Sequence, residues 1–349
     1  SDFSALFHAF IDFIPQSEDL IQKRVEKLSN TQIIRFNASA RWANEHSIFS
    51  KDPPMPFSGQ MLWIAAPIFI LFVILEIFYF HCKNLKGYSW RESLATIGIG
   101  FGHKLSGLFR FSFIALAMSW IWDHRLFDIP LNHIGSIALL FIAVEFNYYW
   151  YHRFSHTIRW MWASHCVHHS PVEFNVLASF RLSWTSGISG DFLLFLPLVW
   201  LGFQPAAVGS MLAFSLLYQS WVHTELIPKL GPLDQILNTP SNHRVHHANN
   251  QIYLDKNYGG ILIIFDRLFG TYAAEERDAP CRYGLVTPVN SVNPIWIAFH
   301  EWIAIATDLA RCRNFHAALN HLFGHPGWRP NNNSEEIATS AKDTYPLTG

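Results

Sequence analysis

The chain has 349 residues and a formal net charge of −1; half of its residues are apolar and only 15% are charged. Because no basic excess is present, binding to nucleic acid through the release of phosphate counterions is not expected. The apolar residues are gathered in long runs, which indicates an integral membrane protein. The four cysteines are scattered without a C-x-x-C pair, which is typical of a reducing compartment and argues against thiolate ligation of a metal.

The first residues differ in composition from those that follow. Residues 1–60 mix charge with short apolar clusters and contain the breaker KDPPMP, which predicts an N-terminal interfacial helical segment. Neither a charged leader region nor a small-residue cleavage site is visible in them. Residues 61–330 are predicted to form the membrane domain, and residues 331–349 a polar C-terminal tail.

Apolar runs along the membrane domain predict about four to five transmembrane helices. A bilayer core requires about 20 apolar residues from a helix that crosses it. The runs are residues 61–80, 93–122, 134–156 and 188–222. The second run is interrupted by glycines and polar residues and is interpreted as one span, whereas the last is interpreted as two short spans joined at LGFQP. The third run contains no helix breaker, so it is predicted to leave the membrane as one continuous helix.

Basic residues in this topology predict which face is cytosolic. The loop after the first span, the region after the third span and the region after the last span fall on one side. That side carries Lys83, Lys86, Arg91, Arg153, Arg159 and Arg181. The positive-inside rule makes this face cytosolic, in the endoplasmic reticulum or in a bacterial inner membrane.

Nine of the 19 histidines fall on that face, in one H-x-x-x-H motif, two H-x-x-H-H motifs and one lone position. They are His152, His156, His165, His168, His169, His223, His243, His246 and His247. The H-x-x-x-H spacing brings two rings to one helix face. In H-x-x-H-H, the first ring shares a face with the ring three or four residues later, and the adjacent ring is turned by about 100° toward a neighbouring ion. Because a structural zinc site closes with four ligands, nine histidines predict two metals.

The identity of the metal follows from its setting. Imidazole is a ligand for iron, copper, zinc and nickel alike. Iron is favoured because it can activate dioxygen beside acyl chains, whereas zinc has no redox chemistry, although zinc can replace iron in recombinant protein. Lone histidines elsewhere are interpreted as packed, hydrogen-bonded side chains. These are His8, His46, His81, His103, His124, His133, His300, His316, His321 and His325.

Glu145 is the candidate catalytic residue. It lies seven residues before His152, so it shares a helix face with that histidine about a turn inside the apolar run. An unpaired charge at that depth costs on the order of 3 kcal/mol. We therefore expect a partner at the reacting centre to stabilise the carboxylate, so that Glu145→Gln keeps the metals and loses turnover. Tyr149 shares the face and is interpreted as packing.

The stretch DKNYGGILIIFDRLFGTY follows the last histidine motif. Its run ILIIF is too short to span a bilayer and DKNYGG is a turn, so the stretch is predicted to pack beside the metals. Asp255, Asn257 and Asp266 are candidates to orient ligand rings by accepting their second N–H. The alternative, that they only cap turns and helices, stays equally open.

The order of the histidine motifs resembles that of the fatty acid hydroxylase and sterol desaturase superfamily. The resemblance is carried by EFNYYWYHRFSH, WASHCVHHSPVEFN, WVHTELIPKLGPLDQILNTPSNHRVHH and NNQIYLDKNYGGILIIFDRLFGTY, and it covers roughly residues 140–330. It implies an all-helical membrane fold with a cytosolic cap that holds two irons, and oxygen-dependent attack on a lipid C–H bond. It also implies that the nine histidines are the ligands and that Glu145 occupies the upstream acidic position.

Within that superfamily the chain is most similar to a branch that hydroxylates the ether-linked carbon of alkylglycerol lipids with tetrahydrobiopterin. In that branch further hydrophobic spans follow, where this sequence has its polar tail. Three functions therefore stay open. The first is an ether-lipid monooxygenase; the second is a sterol or acyl-chain hydroxylase or desaturase served by an electron-donor protein; the third is a non-catalytic metal-binding membrane protein.

Overall fold

The structure is a computed structural model that describes residues 60–330. The predicted interfacial segment and the predicted polar tail therefore lie outside the described residues. Within residues 60–330 the chain is helical, and the one pairing of extended backbone is an isolated antiparallel bridge between Leu237 and Leu262. The prediction of an all-α class is confirmed for this part of the chain.

The helices are numbered in chain order over the described residues. They are α1 (Gln60–Cys82), α2 (Trp90–Asp123), α3 (Ile134–Thr157), α4 (Arg159–His169), α5 (Ser186–Ser189), α6 (Leu196–Leu201), α7 (Pro205–Trp221), α8 (Pro240–His247), α9 (Ile264–Leu268), α10 (Pro294–Arg311) and α11 (Phe315–Phe323). Short 3-10 helices lie at Val176–Phe180, Asp191–Phe195 and Gly231–Gln235.

The second and third apolar runs form unbroken helices, whereas the last run is divided among α5, a 3-10 helix, α6 and α7. The region 93–122 lies within α2, a single helix of 34 residues, in agreement with its interpretation as one span. The third run forms α3 without interruption. By length and composition, α2 is the one helix of the described chain that could cross a membrane, while Ala66–Cys82 and Asp191–Leu201 are shorter apolar helical stretches.

The turn between α6 and α7 lies beside the connection between α2 and α3. Leu126 N–H donates to the Trp200 carbonyl at 2.7 Å, and Ile129 N–H donates to the Gly202 carbonyl at 3.1 Å. Gly202 has a φ of +120°, and a Cβ on it would lie 2.1 Å from the Phe127 carbonyl oxygen. Glycine is required there because any side chain would collide with backbone. The LGFQP turn is thus at the end of α3 opposite to its histidines.

One face of α3 joins the apolar core to the histidines. Leu140, Val144 and Tyr148 are buried at intervals of four residues against α6 and α7. The same interval continues to His152 and His156, which are also buried. The packing of these three residues against α6 and α7 therefore fixes the rotation of α3 about its axis and, with it, the direction in which both histidine rings point.

A buried arginine positions α4. Ile158 has extended backbone angles, with φ −113° and ψ 115°, so the helix breaks between α3 and α4. Arg159 then donates to Glu301 at 2.7 Å and pairs with Asp308 at 2.6 Å, both on α10. Because the guanidinium is almost fully buried and holds two carboxylates, it ties the start of α4 to α10.

Candidate metal centre

The structure brings all nine clustered histidines together from α3, α4, α8 and the end of α7. Their ring nitrogens form two groups, in each of which the candidate ligand atoms lie within 4.8 Å of one another. The five-histidine cluster contains His152, His156, His165, His169 and His246. The four-histidine cluster contains His168, His223, His243 and His247. Their role as metal ligands stays a prediction, and their convergence is an observation.

Each H-x-x-H-H motif contributes to both clusters. His165 and His169, four residues apart, lie in the five-histidine cluster, whereas His168 belongs to the other. The second motif is reversed, because His246 lies in the five-histidine cluster and its neighbour His247 in the four-histidine cluster. From the sequence, the first ring of each motif could share a cluster with the ring three or four residues later. In the structure it shares a cluster with the ring four residues later. The two clusters touch where the rings of His169 and His247 stack at 4.2 Å.

Hydrogen bonds to backbone carbonyls set the tautomers in the five-histidine cluster. Nδ1 of His152 lies 2.8 Å from the Tyr258 carbonyl oxygen, and Nδ1 of His246 lies 2.9 Å from that of Lys256. A carbonyl oxygen can only accept, so each Nδ1 carries the proton and each Nε2 presents a lone pair. The Nε2 atoms of His152 and His165 are 3.0 Å apart, and the buried Nε2 of His246 has no hydrogen-bond partner.

The four-histidine cluster is built in the same way. Nδ1 of His223 donates to the Gln219 carbonyl at 2.7 Å, which leaves its Nε2 as an acceptor. That Nε2 lies 3.2 Å from Nε2 of His168 and 3.0 Å from Nε2 of His243. The nitrogens of His243 and His247 are 3.1 Å apart. The lone pair of His223 is therefore directed at the ring nitrogens of both neighbours in this cluster.

This donor set fits a metal ion in each cluster. Two ligands at right angles around an ion, with metal–nitrogen bonds of about 2.1 Å, have nitrogens about 3.0 Å apart. Burial lowers the pKa of His168 to about 4 and that of His246 to about 3. Burial, with the neighbouring rings, also lowers the pKa of His165 and His243. Neutral imidazole is the form that binds a metal, so burial prepares these rings for ligation.

The expectation that side chains of the DKNYGG region accept the second ring N–H is wrong in its detail. Asp255 Oδ1 is 3.8 Å from His156 Nδ1, too far for a hydrogen bond, and its other oxygen lies 3.1 Å from His325. Asn257 donates to backbone carbonyls and accepts from Ala273 N–H. For His152 and His246, the acceptors are backbone carbonyls of the same segment.

Asp266 acts on the cluster through that backbone. Its carboxylate is fully buried and accepts from Tyr258 N–H at 2.7 Å, from Gly259 N–H at 2.8 Å and from the Thr271 hydroxyl at 2.7 Å. Tyr258 supplies the carbonyl that His152 requires. Gly259 is needed because a Cβ there would lie 2.3 Å from the Leu262 carbonyl oxygen. Asp266 thus holds the turn that orients His152.

We expect Asp266→Asn to weaken metal binding in the five-histidine cluster by about 10- to 100-fold, as is usual for residues that orient a ligand. The amide would present an N–H group to a backbone N–H, so one buried donor would lose its acceptor at a cost of about 1–3 kcal/mol. Metal affinity and thermal unfolding in detergent are the measurements. Asp255→Asn is the matched control and should bind metal normally; equal behaviour of the two variants would remove the assigned role of Asp266.

The structure also changes the interpretation of Glu145. The residue is buried, but it is not unpaired: Ser215 donates to Oε1 at 2.6 Å, while Ile261 N–H and Leu262 N–H donate to Oε2 at 2.6 and 2.9 Å. The argument that a partner at the reacting centre must stabilise the carboxylate is therefore wrong. Glu145 joins α3 and α7 to the segment that carries Tyr258. Tyr149 packs on Phe269 with rings 5.2 Å apart, as interpreted from sequence.

Two residues that the sequence did not single out support the four-histidine cluster. Glu76 of α1 is buried and accepts from the Thr224 hydroxyl and from Val176 N–H at 2.8 Å, so it holds the residue after His223. Phe174 lies against His223 with rings 5.5 Å apart. In the sequence, Glu76 could have been identified only by its position as a lone carboxylate in an apolar run. No sequence feature indicated a role for Phe174.

Comparison with known proteins identifies the family. A family model described as fatty acid hydroxylase matches residues 137–271, which include all nine histidines. The alkylglycerol monooxygenase of Xenopus tropicalis is 34% identical over 312 residues, which are 87% of this chain and 67% of that protein. The chain belongs to the fatty acid hydroxylase family. The resemblance inferred from the histidine motifs is confirmed.

Two further proteins are also similar to this chain. The human alkylglycerol monooxygenase is 38% identical over 268 residues, which are 76% of this chain and 59% of the human protein. The chain thus spans about three fifths of that relative. The ornithine lipid hydroxylase of Rhizobium tropici is 31% identical over 158 residues, covering 44% of this chain and 46% of that protein. No solved structure matches the chain.

Proposed function

We propose that this chain is an integral membrane di-iron monooxygenase that uses dioxygen to hydroxylate a C–H bond of a lipid. The convergence of nine neutral histidines, seven of them buried and two half-buried, into two adjacent clusters carries the proposal. Nitrogen-rich sites of this kind accept iron, and two sites in contact match the two irons of the family resemblance. The irons, when bound, supply dioxygen activation and the removal of hydrogen from an unactivated carbon.

The protein's own residues hold and shield that centre. Carbonyl groups of Tyr258, Lys256 and Gln219 keep three Nε2 atoms free for ligation. Phe174 stacks on Tyr283 with rings 4.8 Å apart and covers the four-histidine cluster, which excludes water from one side. Exclusion of water protects reactive species from side reactions, so the aromatic pair is part of the site.

The proposed membrane arrangement has four to five spans with a cytosolic cap. The spans are α1, α2, α3 and the pair formed by residues 188–222, and the cap contains α4 and α8 to α11. In support, Glu76 near the end of α1 and Glu92 at the start of α2 bond to residues close to the histidines, Thr224 and Arg181. Lys83, Lys86 and Arg91 on the same side favour the cytosol.

We propose the ether-linked carbon of an alkylglycerol-type lipid as the target, because alkylglycerol monooxygenases match most of this chain. One oxygen atom would enter the C–H bond and the other would leave as water, with two electrons from tetrahydrobiopterin. The hydroxylated ether is a hemiacetal, which collapses to an aldehyde and a glycerol. The second candidate is a sterol or acyl-chain hydroxylase or desaturase with an electron-donor protein, which the similarity to ornithine lipid hydroxylase favours.

Product analysis under isotopic oxygen tests the proposal. Membranes from cells that express the full chain are given an alkylglycerol and tetrahydrobiopterin under ¹⁸O₂, and a labelled fatty aldehyde is expected. The His165→Ala variant is the control and should form none. Comparison of the lipidomes of cells with and without the gene covers other substrates. An oxidised sterol or acyl chain that forms only with a redox protein favours the second candidate; no oxygen-dependent product, with metal content that follows the medium, indicates a non-catalytic protein.

A further inference from the structure

The outer face of α10 and α11 is apolar and exposed within the described part of the chain. Both helices bury one side: Ile297 and Ile305 of α10, and Ala317 and His321 of α11. The opposite side exposes large apolar residues at helical spacing. These are Ile295, Trp296, Ile303, Phe315, Leu319 and Phe323. Phe315 is 77% exposed. Exposure to water is unfavourable for this side chain, because transfer of an apolar group out of water lowers the free energy.

The acidic residues of α10 and α11 face the rest of the protein, whereas the arginines between the two helices are exposed. The acidic residues, Glu301 and Asp308, bind the buried Arg159 and are thereby neutralised. Arg311 and Arg313, at the junction of the helices, are exposed and form no ion pair within residues 60–330. The outer surface is therefore apolar and cationic together, a combination that is typical of helices lying in the headgroup layer of an anionic membrane.

The length of α2 places this surface at the right depth. With 34 residues α2 is about 51 Å long, while a hydrocarbon core is about 30 Å thick. The stretch after Lys104 is about 28 Å long to the end of the helix and carries a single internal charge, Arg110, which donates to the Ser186 hydroxyl. The part of α2 up to Lys104, nearly half of the helix and containing Glu92, then stands outside the core on the side of the histidines.

Helix α10 begins against that protruding part. A Cβ on Gly98 would lie 3.0 Å from Pro294, the first residue of α10. With Lys104 at the boundary of the hydrocarbon core, Gly98 lies six residues, or about 9 Å along the helix axis, outside that boundary. The headgroup region is about 5–8 Å thick, and a helix has a radius of about 5 Å, so the lower side of α10 reaches that layer.

We infer that α10 and α11 form a docking surface for the headgroup layer of an anionic bilayer, with the apolar residues inserted and Arg311 and Arg313 on lipid phosphates. The inference rests on the membrane location proposed above and adds a specific contact to it. Docking would hold the cap at a fixed height over the bilayer. Since α10 carries the carboxylates that bind Arg159 at the start of α4, the surface also fixes the histidines of α4 relative to the lipid.

Site-specific fluorescence on the full chain in lipid nanodiscs tests the inference. Cys82, Cys281 and Cys312 are changed to serine, and a fluorophore is attached at Phe315→Cys or at His316→Cys, the adjacent exposed position, which is turned by about 100° around α11. At position 315, lipids carrying a spin label near the headgroup should quench strongly and aqueous iodide weakly. At position 316 the ratio of lipid to iodide quenching should be clearly lower than at position 315.

The basic residues are tested by lipid composition. Replacing neutral lipid with phosphatidylserine should raise the ratio of lipid to iodide quenching at position 315, by about fivefold for each arginine that contributes. Arg311→Gln with Arg313→Gln should abolish that rise. If the rise persists in the double variant, the arginines do not bind anionic lipid. The assignment of Arg311 and Arg313 to lipid phosphates is then overturned.

A label at Phe113→Cys, an exposed residue in the apolar part of α2, separates this inference from the proposed function. Lipid quenching at position 113 together with equal iodide quenching at positions 315 and 316 would overturn the docking surface and leave the membrane span intact. If lipid quenches the label neither at position 113 nor at position 315, both the docking surface and the proposed membrane location are overturned. Protection of position 315 from lipid and iodide alike would show that protein covers the face, which also contradicts docking to lipid.

Discussion

Two metal ions per chain are expected in protein purified from iron-replete cells, and substitutions should remove them cluster by cluster. His156→Ala combined with His246→Ala removes two ligands from the five-histidine cluster and should leave about one metal per chain. His246→Ala combined with His247→Ala changes two neighbours in sequence that belong to different clusters, so it should weaken both sites. Each pair should reduce turnover by more than about a hundredfold, because loss of residues that merely orient ligands already costs 10- to 100-fold.

The measurement is metal content per chain by mass spectrometry, together with lipid turnover. His316→Ala, an exposed histidine outside both clusters, is the control and should keep two metals. Zinc in place of iron would not contradict the prediction, since affinity for imidazole sites follows metal supply. A ratio of one in the unaltered protein would contradict it, as would equal losses in the two double variants.

Glu145→Leu is expected to lower the free energy of unfolding by about 3–5 kcal/mol and to abolish turnover, whereas Glu145→Gln should be mild. Leucine would leave two buried backbone N–H groups and the Ser215 hydroxyl without their acceptor, at about 1–3 kcal/mol for each group. Glutamine can place its oxygen toward Ile261 and Leu262 and its N–H toward Ser215, so all three contacts can persist. This reverses the result expected for glutamine from the sequence.

Thermal unfolding in detergent, metal content and turnover should be measured on the same preparations. The two roles of Glu145 give opposite patterns. A residue that braces α3 against the Tyr258 segment shows stability, metal content and turnover falling together in the leucine variant and largely intact in the glutamine variant. A glutamine variant that is stable and holds two metals but turns over no lipid would restore a catalytic role. Ser215→Ala, which removes one of the three donors, should destabilise by about 1 kcal/mol.

Local periodicity allowed the sequence to determine much of this site. Helical spacing of His152 and His156, and of the rings in each H-x-x-H-H motif, depends only on residues within two turns, so the shared faces were readable without a fold. The nine histidines that the sequence grouped are the nine that converge. The all-helical class was readable for the same reason, because long apolar runs without breakers leave the backbone no other way to satisfy its hydrogen bonds in lipid.

The tertiary structure alone decided how the rings are divided and what holds them. The segregation of His246 from His247 depends on where α8 packs against α3 and α4, which no local spacing encodes. The partners of Glu145 lie 70, 116 and 117 residues away along the chain, so its apparent lack of a partner was an error of local reasoning. The ring acceptors are carbonyl groups, which every residue possesses, so sequence cannot distinguish the Tyr258 carbonyl from any other until the turn fixed by Asp266 points it at His152.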